Sequence, residues 1–139
     1  MREEVRYSFH IEEAVLQDSI PRISLQPLVE NALNHGLKNK HGDKTIEVWA
    51  EEKDGLLCIM VKDNGVGMDS DEINRRLEEN DKDMVESGTS IGIYNINARM
   101  KMFYGEEYGV HTESTMGEGT CVTLRIPRMK VEEVEAWTR

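Results

Sequence analysis

The sequence lacks any apolar run long enough to cross a membrane as a helix. Such a helix needs about 20 predominantly apolar residues, and no stretch of the 139 residues approaches that length. The N-terminal segment carries one early arginine but no apolar region behind it, so we expect no secretory signal and an intracellular setting. A chain of this length suits one domain with its own core. We therefore expect residues 1–139 to form a single domain.

Cysteine is also scarce. The two cysteines, Cys58 and Cys121, have neither CxxC nor metal-ligand spacing. Both lie in β-like apolar runs, where a lone cysteine behaves as a small hydrophobe, so we expect reduced thiols with a structural role. His10, His41 and His111 have no cysteine or second histidine at ligand spacing either. We expect these three to be ordinary surface or strand residues.

Positive charge is in the minority. The chain has 17 Lys and Arg against 27 Asp and Glu, a net charge of -10. This charge repels phosphate backbones and anionic lipid, so we expect neither nucleic-acid binding nor membrane contact by this segment. An anionic ligand would need local help from a divalent cation, a helix N-terminus or backbone amides.

Hydrophobic periodicity indicates a mixture of strands and helices. Alternation predicts strands, three- and four-residue spacing predicts helices, and Asp69 with Glu72 has the spacing of a capping box. The predicted elements are a strand within residues 4–17, a helix from Leu25 to about Gly36, a hairpin from 45 to 62 that turns at 53–55, a short helix after Asp69, a helix from Ile91 to Tyr104 with the stripe Ile93, Ile96, Met100 and Phe103, and a hairpin from 109 to 126.

The first helix carries an unusual polar face. Glu30, Asn31, Asn34, His35 and Lys38 are spaced to line one side over two turns, opposite the apolar stripe. Asparagine and histidine favour helices less than the residues of an ordinary solvated face. An asparagine oxygen is a hard, neutral ligand for Mg²⁺, and a glutamate beside it can orient or deprotonate a nucleophile. The spacing alone leaves a solvated face and a functional face equally open.

Asp63 ends an apolar strand and is followed by Asn64, Gly65, Val66 and Gly67. Asn-Gly is also a common hairpin turn, but a helix start follows here instead of a strand. A carboxylate at a buried strand end can accept from an exocyclic amine such as that of adenine, and glycines let the backbone approach a flat ring.

Residues 78–90 show no periodicity, and a polar stretch of that length is more often a functional loop or lid than a simple connection. The N-terminus of the helix that follows this stretch suits phosphate binding, because free backbone amides and the helix dipole attract anions. A flexible glycine-capped loop is the alternative. The residues concerned are Gly88, Thr89, Ser90, Ile91 and Gly92.

In chain order, the Glu30–Gly36, Asp63–Gly67 and Gly88–Gly92 segments resemble the N, G1 and G2 boxes of the GHKL superfamily, which includes gyrase, heat-shock chaperone ATPases, sensor histidine kinases and MutL. More closely, Leu25–Ala32 and the stretch from Gly92 to Arg99 resemble the LytS/YesM type of sensor histidine kinase. The likeness covers nearly the whole chain, and three boxes in order make it specific.

The resemblance implies a Bergerat fold of the α+β class: a two-layer α/β sandwich with a mixed, mostly antiparallel sheet, helices on one face, and ATP beneath a mobile lid. By position, Asn31 would hold Mg²⁺ and Asp63 would bind the adenine amino group. Gly65 and Gly67 would form one wall of the adenine pocket, and Thr120 would contribute to binding near the adenine.

Residues 88–92 would cover the phosphates, and Glu30 stands where the family carries an acid that polarises the attacking histidine. Two departures are present: Asn34 replaces a frequent lysine and Ser90 replaces the middle glycine of the G2 box. These changes imply weaker binding or a stiffer lid, with Lys38 or His35 as partial compensation.

The implied protein is a sensor histidine kinase that transfers the γ-phosphoryl group of Mg-ATP to a histidine. No phosphoacceptor motif precedes the domain, so we expect the histidine-bearing dimerisation domain to be absent and the isolated chain to show little kinase activity. Implied partners are that domain, a response regulator and a second copy in a homodimeric receptor, with this domain on the cytoplasmic side of a membrane-bound sensor. Two alternatives remain open: an anti-sigma-factor serine kinase of the same superfamily, and a nucleotide-sensing module without transfer activity.

Overall fold

The computed structural model describes residues 4–15, 25–38, 40–79 and 91–128. The predictions for Gly88, Thr89, Ser90 and the tail from Lys130 lie outside these residues. The elements in chain order are β1 (Val5–Ile11), a 3-10 turn (Glu13–Val15), α1 (Leu25–Asn31), a π-helical continuation (Ala32–Leu37), β2 (Lys44–Lys53), β3 (Leu56–Asp63), α2 (Ser70–Glu78), α3 (Ile91–Tyr104), β4 (Gly109–Thr115) and β5 (Gly119–Pro127).

The five strands form one mixed sheet in the order β1-β2-β3-β5-β4. β1 runs parallel to β2, and the other three pairings are antiparallel. The β2–β3 hairpin turns at Asp54 and Gly55, whose φ angles are both positive at 54° and 81°, as a two-residue turn of the I′ type requires. The mixed, mostly antiparallel sheet is the predicted one.

The helices lie on one face of this sheet. α2 and α3 contact β4, the π-helical segment contacts β3 and β5, and α1 packs on α3. Alternate residues of the central strands point into the layer between helices and sheet, because successive strand side chains alternate between faces. The core residues with the least exposure are Leu28, Ile46, Ile93, Leu124 and Ile126. This arrangement confirms the predicted two-layer α+β fold.

One apolar prediction needs correction, and one edge of the sheet exposes apolar side chains. Phe103, placed on the inner stripe of α3 by its spacing, is 54% exposed, while Ile93, Ile96 and Met100 are buried. The stripe fails at Phe103 because it lies in the last turn of α3, next to the chain reversal at Gly105. On β1, Phe9 pairs with the buried Val48 yet stays 63% exposed, so this edge of the sheet presents apolar side chains.

Two asparagine side chains hydrogen-bond to backbone groups of the opposite edge strand, β4. Asn74 of α2 donates to the carbonyl of Thr112 and accepts from its amide, both at 2.8 Å. Asn97 of α3 accepts from the Val110 amide at 2.9 Å and donates to the Leu77 carbonyl at 3.2 Å. Edge strands carry unpaired backbone groups that invite further pairing. The two amides satisfy part of that edge and fix α2 and α3 against the sheet.

Candidate functional site

Asp63 is the last residue of β3 and its carboxylate is the centre of the site. Its Oδ1 accepts from the Gly65 amide at 2.8 Å, and the Thr120 amide on the neighbouring strand also bonds the carboxylate. Burial raises the pKa of Asp63 above its usual 3.8, while these two amides and the charge of Lys40 oppose that rise. A carboxylate has about four acceptor positions, so two amides leave room for another donor.

Glycines bring backbone against this carboxylate. A Cβ on Gly36 would lie 2.6 Å from the Asp63 carboxylate, and a Cβ on Gly65 would overlap the Gly36 carbonyl. A Cβ on Gly119, at φ 133°, would overlap the carbonyl of Asp63 itself. No real Cβ tolerates such contacts, so each position needs glycine. Three glycines therefore let separate parts of the backbone meet around Asp63, while the predicted approach of the Gly65 and Gly67 backbone to a base stays a prediction.

The loop after Asp63 is tied to two other parts of the chain. The Val66 amide donates to the Gly36 carbonyl at 2.9 Å, and the Gly117 amide donates to the Val66 carbonyl at 2.8 Å. Gly67 has a φ of 83°, and a Cβ there would meet the Thr115 carbonyl at 2.6 Å. The loop therefore joins the end of the π-helical segment to the β4–β5 turn.

Thr120, predicted to lie near the base, is opposite Asp63 in the β3–β5 register. It is 4% exposed, and its hydroxyl is 2.9 Å from the hydroxyl of Ser114 on β4. Ser114 also receives the Met68 amide and donates to the Gly119 carbonyl, both at 2.8 Å. Ser114 therefore holds the Thr120 hydroxyl in place through a hydrogen bond between the two hydroxyl groups. Sequence reasoning missed Ser114, and its position opposite Thr120 in the predicted second hairpin was the available signal.

Asn31 is buried at the end of α1, with 5% of its surface exposed. Its Oδ1 has no hydrogen-bond partner among the described residues. A buried acceptor without a partner carries a desolvation cost, so this oxygen is free to accept from or coordinate a ligand. Asn31 is the only one of the predicted polar-face residues whose described side chain is buried.

The residues of the predicted polar face on the first helix differ in exposure. Glu30, Asn34 and Lys38 are exposed, whereas Asn31 turns inward beside the core, and the side chain of His35 lies outside the described set. Glu30 accepts from Gln26 at 2.9 Å. The helix changes to π-helical spacing at Ala32, and its i→i+5 bonding shifts the face on which later residues lie. The described members of the predicted face therefore differ in exposure, and their grouping around one ligand stays a prediction.

Lys40 and Asn64, which were not assigned a role from the sequence, brace the turn at Asp63. Lys40 Nζ donates to the Asn64 carbonyl at 2.5 Å. The Asn64 side chain accepts from the Thr45 amide at 2.9 Å and donates to the Asp43 carbonyl at 3.0 Å. No periodicity or motif signals these contacts, because they join residues distant in sequence.

Of the five residues predicted to cover phosphates, the structure describes the backbone of Ile91 and Gly92 at the start of α3. A cavity of about 270 Å³ lies beside Asp63 and Thr120, with Ser114 and Cys121 in its wall. Another, of about 250 Å³, lies between α3 and β4, with Asn97 and His111 in its wall. The first of these cavities adjoins the predicted adenine-binding residue.

Comparisons with known proteins agree with this geometry. Residues 21–130 match the family described as histidine kinase-, DNA gyrase B-, and HSP90-like ATPase. The sensor protein LytS of Bacillus cereus is 40% identical over 126 residues, which is 89% of this chain and 21% of that protein. The sensor histidine kinase YesM of Bacillus subtilis is 34% identical over 125 residues, 90% of this chain and 20% of that protein. The chain thus spans about a fifth of the length of these relatives.

The fold matches solved structures of the same kind. The nucleotide-free catalytic domain of the histidine kinase ThkA aligns with a TM-score of 0.63 at 14% identity, over 89% of this chain and 79% of that one. Full-length ShkA in complex with AMPPNP aligns with a TM-score of 0.59 at 17% identity, over 91% of this chain and 26% of that one. Among the described residues, no helix has the length and apolar character that a membrane crossing requires. The chain therefore belongs to the histidine kinase-, DNA gyrase B- and HSP90-like ATPase family, as an ATP-binding domain similar to those of the sensor kinases LytS and YesM.

Proposed function

We propose that this domain holds Mg-ATP beside Asp63 and Asn31 and transfers the γ-phosphoryl group to a histidine of a separate dimerisation domain. One observation carries the proposal: a partly buried carboxylate that retains acceptor capacity, enclosed by glycines, at the end of β3. Such a group recognises an exocyclic amine and rejects a carbonyl in the same place. Adenine offers that amine.

The base would lie between the glycine-rich loop and the helix layer. Asp63 accepts from the adenine amino group, while Gly65 and Gly67 present backbone to the ring. Thr120, held by Ser114, assists at the same edge. Because these groups are fixed before the ligand arrives, binding costs little reorganisation.

Magnesium would be held by Asn31. The fit rests on its buried Oδ1, which lacks a partner among the described residues and is the kind of neutral oxygen that Mg²⁺ accepts. When bound, Mg²⁺ would neutralise the charge of the phosphates. Asn31 would supply one oxygen ligand, and phosphate and water would supply the others.

Phosphoryl transfer depends chiefly on positioning and charge neutralisation. The ring nitrogen of the accepting histidine attacks the γ-phosphorus, the bond to the β-phosphate oxygen breaks, and ADP leaves. Glu30 would polarise that histidine through its other ring nitrogen. Its exposure suits this role, because the acceptor arrives from another domain.

Residues 88–92 would cover the phosphates through their backbone amides. Asn34 offers no cation where the related sequences often have one, and Lys38 and His35 are the nearest candidates to compensate. At the level of the whole receptor, we infer a homodimer whose phosphohistidine is passed to a response regulator. In that receptor this domain lies on the cytoplasmic side of the membrane.

Incubation with γ-labelled ATP and a separately produced histidine-bearing helical domain tests the transfer. The proposal expects label on the helical domain that is stable to alkali and lost in acid, as phosphohistidine is. A matched helical domain with its acceptor histidine replaced by alanine should remain unlabelled. Acid-stable phosphoserine on an anti-sigma antagonist would instead identify the serine-kinase alternative. Tight ATP binding without transfer to any acceptor would identify a nucleotide-sensing module.

A further inference from the structure

Lys40 is attached to the turn that follows Asp63, the residue assigned to the adenine amine. Its Nζ donates to the Asn64 carbonyl, 24 positions along the chain, and its backbone amide donates to the Leu37 carbonyl at 3.1 Å. The side chain is partly buried. A lysine with its charge fixed at a carbonyl by tertiary structure is no ordinary solvated lysine, since exposed lysines keep a mobile ammonium group in water.

The position of this hydrogen bond matters because Asn64 follows Asp63 directly. The Asn64 amide group is held on its other side by the backbone of Asp43 and Thr45. The Asn64 backbone amide also donates to the Thr45 carbonyl at 3.3 Å. Lys40 thus adds a fourth hydrogen bond to the residue that continues the chain out of the carboxylate turn. Removal of the Lys40 ammonium would deprive the Asn64 carbonyl of this donor and give the turn more freedom.

The charge of Lys40 also acts on the carboxylate. It opposes the rise that burial causes in the pKa of Asp63. The other described groups placed against that carboxylate are uncharged: the amides of Gly65 and Thr120 and the backbone at Gly36. Lys40 is therefore the described cation that favours the ionised, acceptor-only form of Asp63.

We propose that Lys40 is a positioning residue for recognition of the adenine base, acting through the Asn64 carbonyl and the neighbouring Asp63 carboxylate. This inference rests on the proposed function. It assigns Lys40 to the base and not to the phosphates, although a lysine near a nucleotide site would ordinarily be taken as a phosphate contact. A base-side role predicts equal loss for every ligand that carries adenine, whatever its phosphates.

The test measures binding of ATP, ADP and adenosine to the Lys40→Met variant, which keeps the length of the side chain and removes the ammonium. We expect affinity for all three to fall by a common factor of about three to ten, the usual effect of one missing hydrogen bond. Lys53→Met removes the same charge at the far end of the β2–β3 hairpin and should leave affinity unchanged. Lys40→Gln, which retains a donor, should lie between the two.

A pH series distinguishes this role from a general loosening of the turn that follows Asp63. In Lys40→Met the acid limb of ATP binding should move to higher pH, because the Lys40 charge no longer favours the ionised form of Asp63. Loss of ATP affinity with adenosine unaffected would make Lys40 a phosphate contact and overturn the inference. Unchanged affinity for all three ligands would overturn it as well, while leaving the proposed function intact. A wild-type domain that binds no ATP at all would instead remove the proposed function on which the inference rests.

Discussion

Replacement of Asp63 by asparagine should weaken nucleotide binding without lowering the free energy of unfolding. The change keeps the size of the side chain and its ability to accept from Gly65, but an amide NH₂ then faces the adenine amine. Loss of a hydrogen bond to a charged acceptor costs about 1.5–3 kcal/mol, which is roughly a 10- to 150-fold loss of affinity. Calorimetric titration with Mg²⁺ and a nonhydrolysable ATP analogue measures it.

The stability of the nucleotide-free domain should respond in the opposite direction. Burial raises the folded-state pKa of Asp63, so the ionised carboxylate destabilises the fold. That destabilisation is absent below the usual pKa of 3.8 and accumulates as pH rises through the raised folded-state pKa. At pH 7 the asparagine variant should therefore be as stable as the wild type or more stable in urea unfolding, and the difference should disappear in acid. A variant that retains affinity, or that unfolds more easily at pH 7, would refute this reasoning.

Other substitutions test the remaining parts of the site. Asn31→Ala should lower ATP affinity about tenfold with Mg²⁺ present and have little effect in EDTA, as titration in the two buffers will show. Gly65→Ala should cost about 2 kcal/mol or more of unfolding free energy because its Cβ overlaps the Gly36 carbonyl, whereas Gly117→Ala, with open space around it, should cost about 1 kcal/mol for its positive φ alone. Asn97→Ala leaves a buried amide and carbonyl unpaired and should cost about 2–4 kcal/mol in urea unfolding; an effect under about 0.5 kcal/mol would show that water replaces the side chain.

Features encoded by neighbouring residues could be predicted from the sequence. The Asp54-Gly55 turn and the Asp69 cap, which accepts from the Glu72 amide at 3.1 Å, each depend on residues within four positions of one another. The strand alternation in β5 likewise specifies which residues face the helices. The order of the three glycine- and asparagine-rich segments identified the family and, with it, the adenine-binding candidate Asp63.

Features set by tertiary contacts could not be predicted. The burial of Asn31, one turn after the buried Leu28 in α1, depends on how α1 packs against α3. The support that Lys40 gives to Asn64 and that Ser114 gives to Met68 joins residues 24 and 46 positions apart. These contacts exist only once the sheet and helix layer have come together, so they shape the site without leaving a local signal in the sequence.

The most direct test of the account is to map the nucleotide on the domain by amide chemical shifts. On addition of Mg²⁺ and a nonhydrolysable ATP analogue, the largest shifts should fall at Gly36, Gly65 and Thr120, around the Asp63 carboxylate. The amides of Val110 and His111, beside the cavity between α3 and β4, should shift little. Shifts concentrated at that second cavity, or no shifts at saturating nucleotide, would contradict an adenine site at the end of β3.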